Sequence, residues 1–129
     1  MSYFYVFIGG GLGSMCRYII TQATVAKFGV FLPVSTLFVN TCGSFFMSFV
    51  MGLLLPIAHH LHLLPESARL MLTVGFLGGL STFSALTLET VTLFRGGHVL
   101  LSILNMGANV FSGLTAAVLG MYLAAWWHE

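Results

Sequence analysis

The sequence predicts an all-α integral membrane protein of four transmembrane helices, the third of them broken at mid-membrane. Three observations carry that prediction: the near-absence of charge, four apolar segments of spanning length, and a run of glycine, serine and threonine inside the third. Of the 129 residues, 58% are hydrophobic and 5% are charged, against about 25% charged in an ordinary globular domain. Asp is absent. The carboxylates are Glu66, Glu89 and Glu129, and the fixed cations are Arg17, Lys27, Arg69 and Arg95. Such a chain cannot cover a water-facing surface with polar groups and needs lipid as its solvent. Residues 1–129 are therefore expected to form a single transmembrane domain. The N-terminus lacks a basic stretch ahead of its first apolar run, so it does not read as a cleaved signal peptide.

A helix needs about 20 mostly apolar residues to cross lipid. Residues 3–25, 33–57, 65–94 and 99–127 meet that length. The first span opens with Gly9-Gly10-Gly11-Leu12-Gly13, in which Gly9 and Gly13 form a GxxxG pair suited to close helix packing. No strand precedes these glycines and no Gly-Lys-Ser/Thr follows, which argues against a phosphate-cradling loop. Arg17 lies further along the same span. An arginine inside a membrane segment costs about 2.5 kcal/mol or more. It either snorkels to an interface or supplies positive potential at an aqueous entrance for an anion.

The second span places Asn40, Ser44, Ser48 and Gly52 at intervals of four, on one helical face. The Asn40 amide offers two donors and an acceptor, so it faces either another helix or water. In the fourth span, Ser102, Asn105, Asn109 and Ser112 form a second seam. Hydrogen bonding between helices accounts for one such seam. Two matching seams of small donors with few counter-charges also suit a narrow path for a small anion. Proton relay would call for carboxylates or histidines.

The third span reads Gly75-Phe76-Leu77-Gly78-Gly79-Leu80-Ser81-Thr82-Phe83-Ser84. Paired glycines followed by Ser-Thr are expected to interrupt the helix, the alternative being an unbroken helix with glycines for packing. Broken backbone at that depth is tolerated only where it is buried in protein or lines a cavity. Its freed carbonyls can coordinate a cation and its amides can attract an anion. The positive edge of the Phe83 ring suits weak solvation of an anion. Glu89, beyond the break, could pair with Arg17 or Arg95, or sit in a vestibule. His59, His60 and His62 have no accompanying carboxylate or cysteine and read as interfacial. Trp126 and Trp127 with His128 read as an interfacial belt. Cys16 and Cys42 read as small buried apolar residues.

With four spans, one membrane face carries Arg69 and the other Lys27 and Arg95, which is almost no bias for the positive-inside rule. The expectation is insertion in both orientations with antiparallel pairing. Without Asp there is no Ser–His–Asp set, and there is neither a carboxylate pair for acid–base chemistry nor a basic patch for nucleic acid. An enzyme is not expected.

These residues resemble the Fluc (CrcB) fluoride channels along essentially the whole chain. The run from Gly9 to Arg17-Tyr18 resembles the family's glycine-rich first helix. Thr36-Leu37-Phe38-Val39-Asn40-Thr41-Cys42-Gly43-Ser44-Phe45 resembles the second-helix motif around its asparagine. The run from Gly75 to Glu89 resembles the third-helix signature of paired glycines, Thr-Phe-Ser and a later Glu. The resemblance implies a fluoride-specific channel that exports fluoride passively and lowers its toxicity in the cytoplasm. It also implies an antiparallel, dual-topology homodimer in the bacterial inner membrane, with two fluoride pathways. Asn40 matches the pore-facing asparagine, Phe83 the first pore phenylalanine, Ser84 and Glu89 the polar route, and Arg17 the vestibule arginine. The backbone carbonyls of Gly78 and Ser81 match a structural sodium site at the dimer interface.

Three positions depart from the family pattern. Leu86 stands where a second phenylalanine is usual, and Ala85 and Ala117 replace hydroxyl residues. Asn105, Asn109 and Ser112 are the residues able to compensate, and Asn109 is counted among the anion-facing candidates. A heterodimer with a sister subunit carrying the missing residues is the other reading of these departures. Outside this family, a small proton-coupled multidrug-type antiporter would need a membrane carboxylate, for which only Glu89 is available. A non-transporting membrane subunit is the third reading.

Overall fold

The computed structural model describes residues 1–57 and 65–127. Among them every regular element is helical. Helix α1 (Ser2–Phe28) is followed by α2 (Val34–Ile57). Helix α3 (Glu66–Leu70) runs into a π-helical segment, Met71–Leu77, and then α4 (Gly78–Leu80). After two extended residues come α5 (Phe83–Arg95) and α6 (Val99–Trp127). Gly29 (φ 81°) ends α1 and Gly97 (φ 84°) lies in the turn between α5 and α6, the two places among the described residues where the backbone takes positive φ. Pro65 stands just before α3, where its missing N–H would have had no helical partner.

Three stretches are long and apolar enough to cross a membrane: Val34–Leu54, Glu66–Arg95 and Val99–Trp127. Helix α1 has the length, at 27 residues. Its four glycines, three tyrosines and Arg17 dilute its hydropathy, which keeps it out of that group.

The packing explains the glycines. Helix α1 lies on the π segment and α4, while α2 packs chiefly on α6. Gly9 and Gly13 of α1 face Gly75, Phe76 and Gly79 so closely that a Cβ at Gly9 would overlap the Met71 carbonyl and one at Gly13 the Phe76 carbonyl. In return, a Cβ at Gly79 would lie 2.6 Å from the Gly10 carbonyl oxygen, and one at Gly75 2.9 Å from the Gly9 Cα. Two GxxxG faces thus cross, backbone on backbone, the association expected where water supplies no hydrophobic drive between helices. The α2–α6 contact uses the same device: Gly52 meets Ala124 and Gly120 meets the Phe45 carbonyl.

The third stretch changes partners along its length. Its first half contacts α1, whereas α5 contacts α6. The two extended residues lie where the partners change. Beside them is a dry cluster of Val39, Leu77 and Leu80, backed by Cys16, Ile20, Met47 and Phe76. Most outward-facing side chains are large and apolar, among them Phe7, Ile103, Phe111 and Leu114, as a lipid-facing surface requires.

Candidate functional site

Helical hydrogen bonding stops at Ser81 (ψ 155°) and Thr82 (φ −152°, ψ 123°). In a continuous α-helix the Thr82 N–H would donate to the Gly78 carbonyl, and the Ala85 N–H to the Ser81 carbonyl. Neither bond forms. The Thr82 N–H donates to Asn40 Oδ1 at 2.7 Å, and the Ala85 N–H donates to Thr82 Oγ1 at 3.2 Å. The Gly78 and Ser81 carbonyls have thereby lost their helical donors. Asn40 Nδ2 donates back to the Thr82 carbonyl at 3.1 Å. The Asn40 carboxamide therefore pairs with both backbone groups of Thr82, as a neighbouring strand would. Thr82 also serves as N-cap of α5, the role hydroxyl residues favour. The glycines that drew attention to this region act as packing surface. The interruption falls just beyond them, after Leu80.

Asn40 starts a buried chain of amides. Its Nδ2 also donates to Asn109 Oδ1 at 2.9 Å. Asn109 Nδ2 donates to Asn105 through Oδ1 at 3.2 Å and the backbone carbonyl at 3.0 Å. Asn105 Nδ2 donates to Thr90 Oγ1 at 3.1 Å, and Ser102 Oγ to the Thr90 carbonyl at 2.8 Å. Thr41 and Ser112 share a hydroxyl bond at 2.8 Å. Ser102, Asn105 and Asn109 are all buried. The fourth-span seam thus faces α2 and α5 inside one chain, where it ties three helices together. The donors of Asn109 are spent on Asn105, and its carbonyl orients the Asn40 amide.

Arg17 and Glu89 line one cavity of about 380 Å³ with Ser14, Thr21, Ser35, Thr36, Thr82 and Ala85. The Thr36 hydroxyl donates to Glu89 Oε1, and Glu89 Oε2 is buried without a hydrogen-bond partner. Among the described residues no ion pair joins Glu89 to Arg17 or Arg95. Arg17 thus lines the same cavity as Thr82, the residue Asn40 holds. A second cavity, about 670 Å³, shares Thr21, Ser35 and Glu89 with the first and is otherwise mostly apolar. The Phe31 and His98 rings meet edge to face at its rim, with centroids 4.8 Å apart.

Phe83, Ser84 and Gly78 lie elsewhere. Phe83 is 74% exposed, and Ser84 and Gly78 are exposed as well. Beside Gly78 the space is open, with only the Thr73 carbonyl, 3.7 Å away, near a hypothetical Cβ. The candidates therefore form an inner set, Arg17, Asn40, Glu89 and Asn109, and an outer set, Gly78, Phe83 and Ser84, joined through Thr82. Leu86 is buried within the chain, so the position of the usual second phenylalanine points into the bundle. Ala85 lines the smaller cavity, and Ala117 is half-buried on α6. Cys16 and Cys42 are half-buried free thiols, and Trp126 and Trp127 are exposed at the end of α6. His59, His60, His62 and His128 lie outside the described residues.

Sequence reasoning missed Thr36, Thr82 and Thr90 as functional partners. A signal existed for two of them. Thr36 precedes Asn40 by one helical turn and so shares its face, and Thr82 is a hydroxyl residue directly ahead of an apolar helical run.

Comparison with known proteins gives the family. The family profile described as CrcB-like protein, Camphor Resistance (CrcB), matches residues 4–121. Relatives described as "Fluoride-specific ion channel FluC" match almost end to end. One from Thermus thermophilus is 42% identical over 121 residues, 94% of this chain and 93% of the relative. The one from Citrifermentans bemidjiense is 35% identical over 120 residues, 93% of this chain and 94% of the relative. The Aeromonas salmonicida relative is 36% identical over 124 residues, 96% of each chain. On the strength of the profile match and these full-length relatives, the chain belongs to the CrcB family.

Proposed function

We propose that the protein is a fluoride-specific ion channel that lets fluoride leave the cytoplasm passively across the plasma membrane. The carrying observation is full-length similarity to proteins described as fluoride-specific channels, together with an Asn40-clamped helix interruption beside an arginine-bearing vestibule.

Moving a small anion into a medium of low dielectric carries an idealised penalty of order 20 kcal/mol. The channel must replace lost water with donors along the way. Arg17 raises the local anion concentration in the vestibule. Asn40 and the Thr82 backbone offer amide donors at its floor. Phe83 presents a polarised ring edge on the far side of Thr82, with the Ser84 hydroxyl beside it. Glu89, engaged by Thr36, borders the route. Asn109 holds the Asn40 carboxamide in its orientation.

In this reading α1 is the fourth membrane span, its low hydropathy explained by glycines that bury against backbone instead of lipid. The third span is broken at mid-membrane by Ser81 and Thr82. The channel is an antiparallel homodimer of one transmembrane domain per chain. Support comes from the exposure of Gly78, Phe83 and Ser84, which a second copy would cover in completing the pathway. The Gly78 and Ser81 carbonyls, deprived of helical donors, suit a hard cation that takes oxygen ligands, and sodium at the crossing of two third spans is the reading they support. These carbonyls would hold the ion. It would supply fixed positive charge and join the two copies. The membrane is the bacterial inner membrane.

The test is anion flux in reconstituted liposomes. Purified wild-type protein should release fluoride rapidly and chloride little. Equal release of both, or none from a folded protein, would overturn the reading.

A further inference from the structure

We infer that Asn40 and the Thr82 hydroxyl are positioning residues for cation binding, because they withhold from the Gly78 and Ser81 carbonyls the two N–H groups that would otherwise occupy them. The inference rests on the sodium reading above and deepens it. The residue proposed to meet the anion would also set the affinity of the cation.

An ordinary helix would cross this interruption with four bonds, from the N–H groups of Thr82, Phe83, Ser84 and Ala85 to the carbonyls of Gly78, Gly79, Leu80 and Ser81; the first and the last of these concern the proposed cation ligands. Left alone, these groups pair with one another in that way. Nothing local forbids it, since neither Ser81 nor Thr82 is a proline and both can adopt helical backbone. What opposes it is another acceptor for the first and for the last of these donors. Asn40 Oδ1 takes the Thr82 N–H at 2.7 Å, and Thr82 Oγ1 takes the Ala85 N–H at 3.2 Å. Asn40 Nδ2 also fixes the Thr82 carbonyl at 3.1 Å, which holds the peptide in its extended orientation.

A carbonyl left unpaired away from water is destabilising, so the two freed oxygens favour any ligand that satisfies both. A Cβ at Gly78 would meet only the Thr73 carbonyl, at 3.7 Å, and Gly43 admits Ser81 closely, 3.1 Å from a hypothetical Cβ. Removing Asn40 Oδ1 leaves the Thr82 N–H without an acceptor, and its best remaining one is the Gly78 carbonyl. The helix then closes across the interruption and the cation loses a ligand. Removing Thr82 Oγ1 returns the Ala85 N–H to Ser81 in the same way.

The experiment is a sodium titration of thermal unfolding for the purified protein, with N-methylglucamine keeping ionic strength constant. Wild type, Asn40→Ala, Thr82→Val and Thr82→Ser are compared. Sodium should raise the wild-type midpoint saturably. Asn40→Ala and Thr82→Val should need at least tenfold more sodium for half the effect, or lose it. Thr82→Ser, which keeps the hydroxyl acceptor, should titrate like wild type. Should Asn40→Ala fail to fold, the isosteric Thr82→Val and Thr82→Ser pair decides alone. If wild type responds and the Ala and Val variants titrate identically to it, the inference is overturned while the sodium reading stands. If wild type itself ignores sodium, the sodium reading falls and takes the inference with it.

Discussion

Replacing Gly79 by alanine tests whether crossed glycine faces hold α1 against the third span. The new methyl group would sit 2.6 Å from the Gly10 carbonyl oxygen, about 0.8 Å short of the 3.4 Å where ordinary contact begins. Its other neighbours are the Gly10 Cα and Ser14 N, each at 3.2 Å. All are backbone atoms, so no side chain can swing away and the helices must part. Overpacking of this kind costs about 1–3 kcal/mol. Alanine returns about 1 kcal/mol through its better helix propensity. Because the clash is with rigid backbone, the upper part of the range applies, and a net loss of about 2 kcal/mol is expected. Gly107 is the control, for a Cβ there meets nothing within 4 Å. Gly107→Ala should be neutral or stabilising by up to about 1 kcal/mol. The assay is unfolding of the purified protein by SDS titration. A Gly79→Ala protein as stable as wild type, or a Gly107→Ala protein equally damaged, would refute the reasoning.

Other predictions concern the pathway and the vestibule. Asn40→Ala and Phe83→Ala should each reduce fluoride flux tenfold or more, and the Phe83→Ala protein should remain dimeric by size-exclusion chromatography. Unchanged flux in both removes these residues from the pore. Thr36→Val removes the hydroxyl donated to Glu89 and leaves both carboxylate oxygens unpaired. It should destabilise the fold by about 1–3 kcal/mol in the same SDS titration, and an unaltered midpoint would show that water already serves Glu89. Arg17→Gln should lower fluoride flux most at low ionic strength, with the deficit shrinking as salt screens the lost charge. A deficit independent of salt would mean that Arg17 acts by contact.

Much of the helical layout is legible in the residues. The spans expected at 33–57, 65–94 and 99–127 are matched by Val34–Ile57, the helices between Glu66 and Arg95, and Val99–Trp127. Apolar length and flanking Pro, Gly and His carry that information locally. The Gly9/Gly13 pair likewise announces a packing face, and it is one. Three things are not local and were not legible. The face that Gly9, Gly10 and Gly13 present is met by a second GxxxG pair, Gly75 on Gly9 and Gly79 on Gly10, from a different span far along the chain. Asn40 could have faced a helix or water, and only the approach of Thr82, 42 residues on, decides it. The fourth-span seam has the spacing of a water-lined path, yet Asn105 and Asn109 are buried because Thr90 and Asn40 come within reach of their amides. The π-helical segment Met71–Leu77 has no sequence signature that spacing could detect.

The most direct test of the account is the efflux of fluoride from liposomes carrying the purified protein, read with a fluoride electrode while chloride is followed in parallel. The account predicts fast fluoride release with little chloride release. Comparable release of the two anions, or no release from a protein that is folded and dimeric, would contradict it.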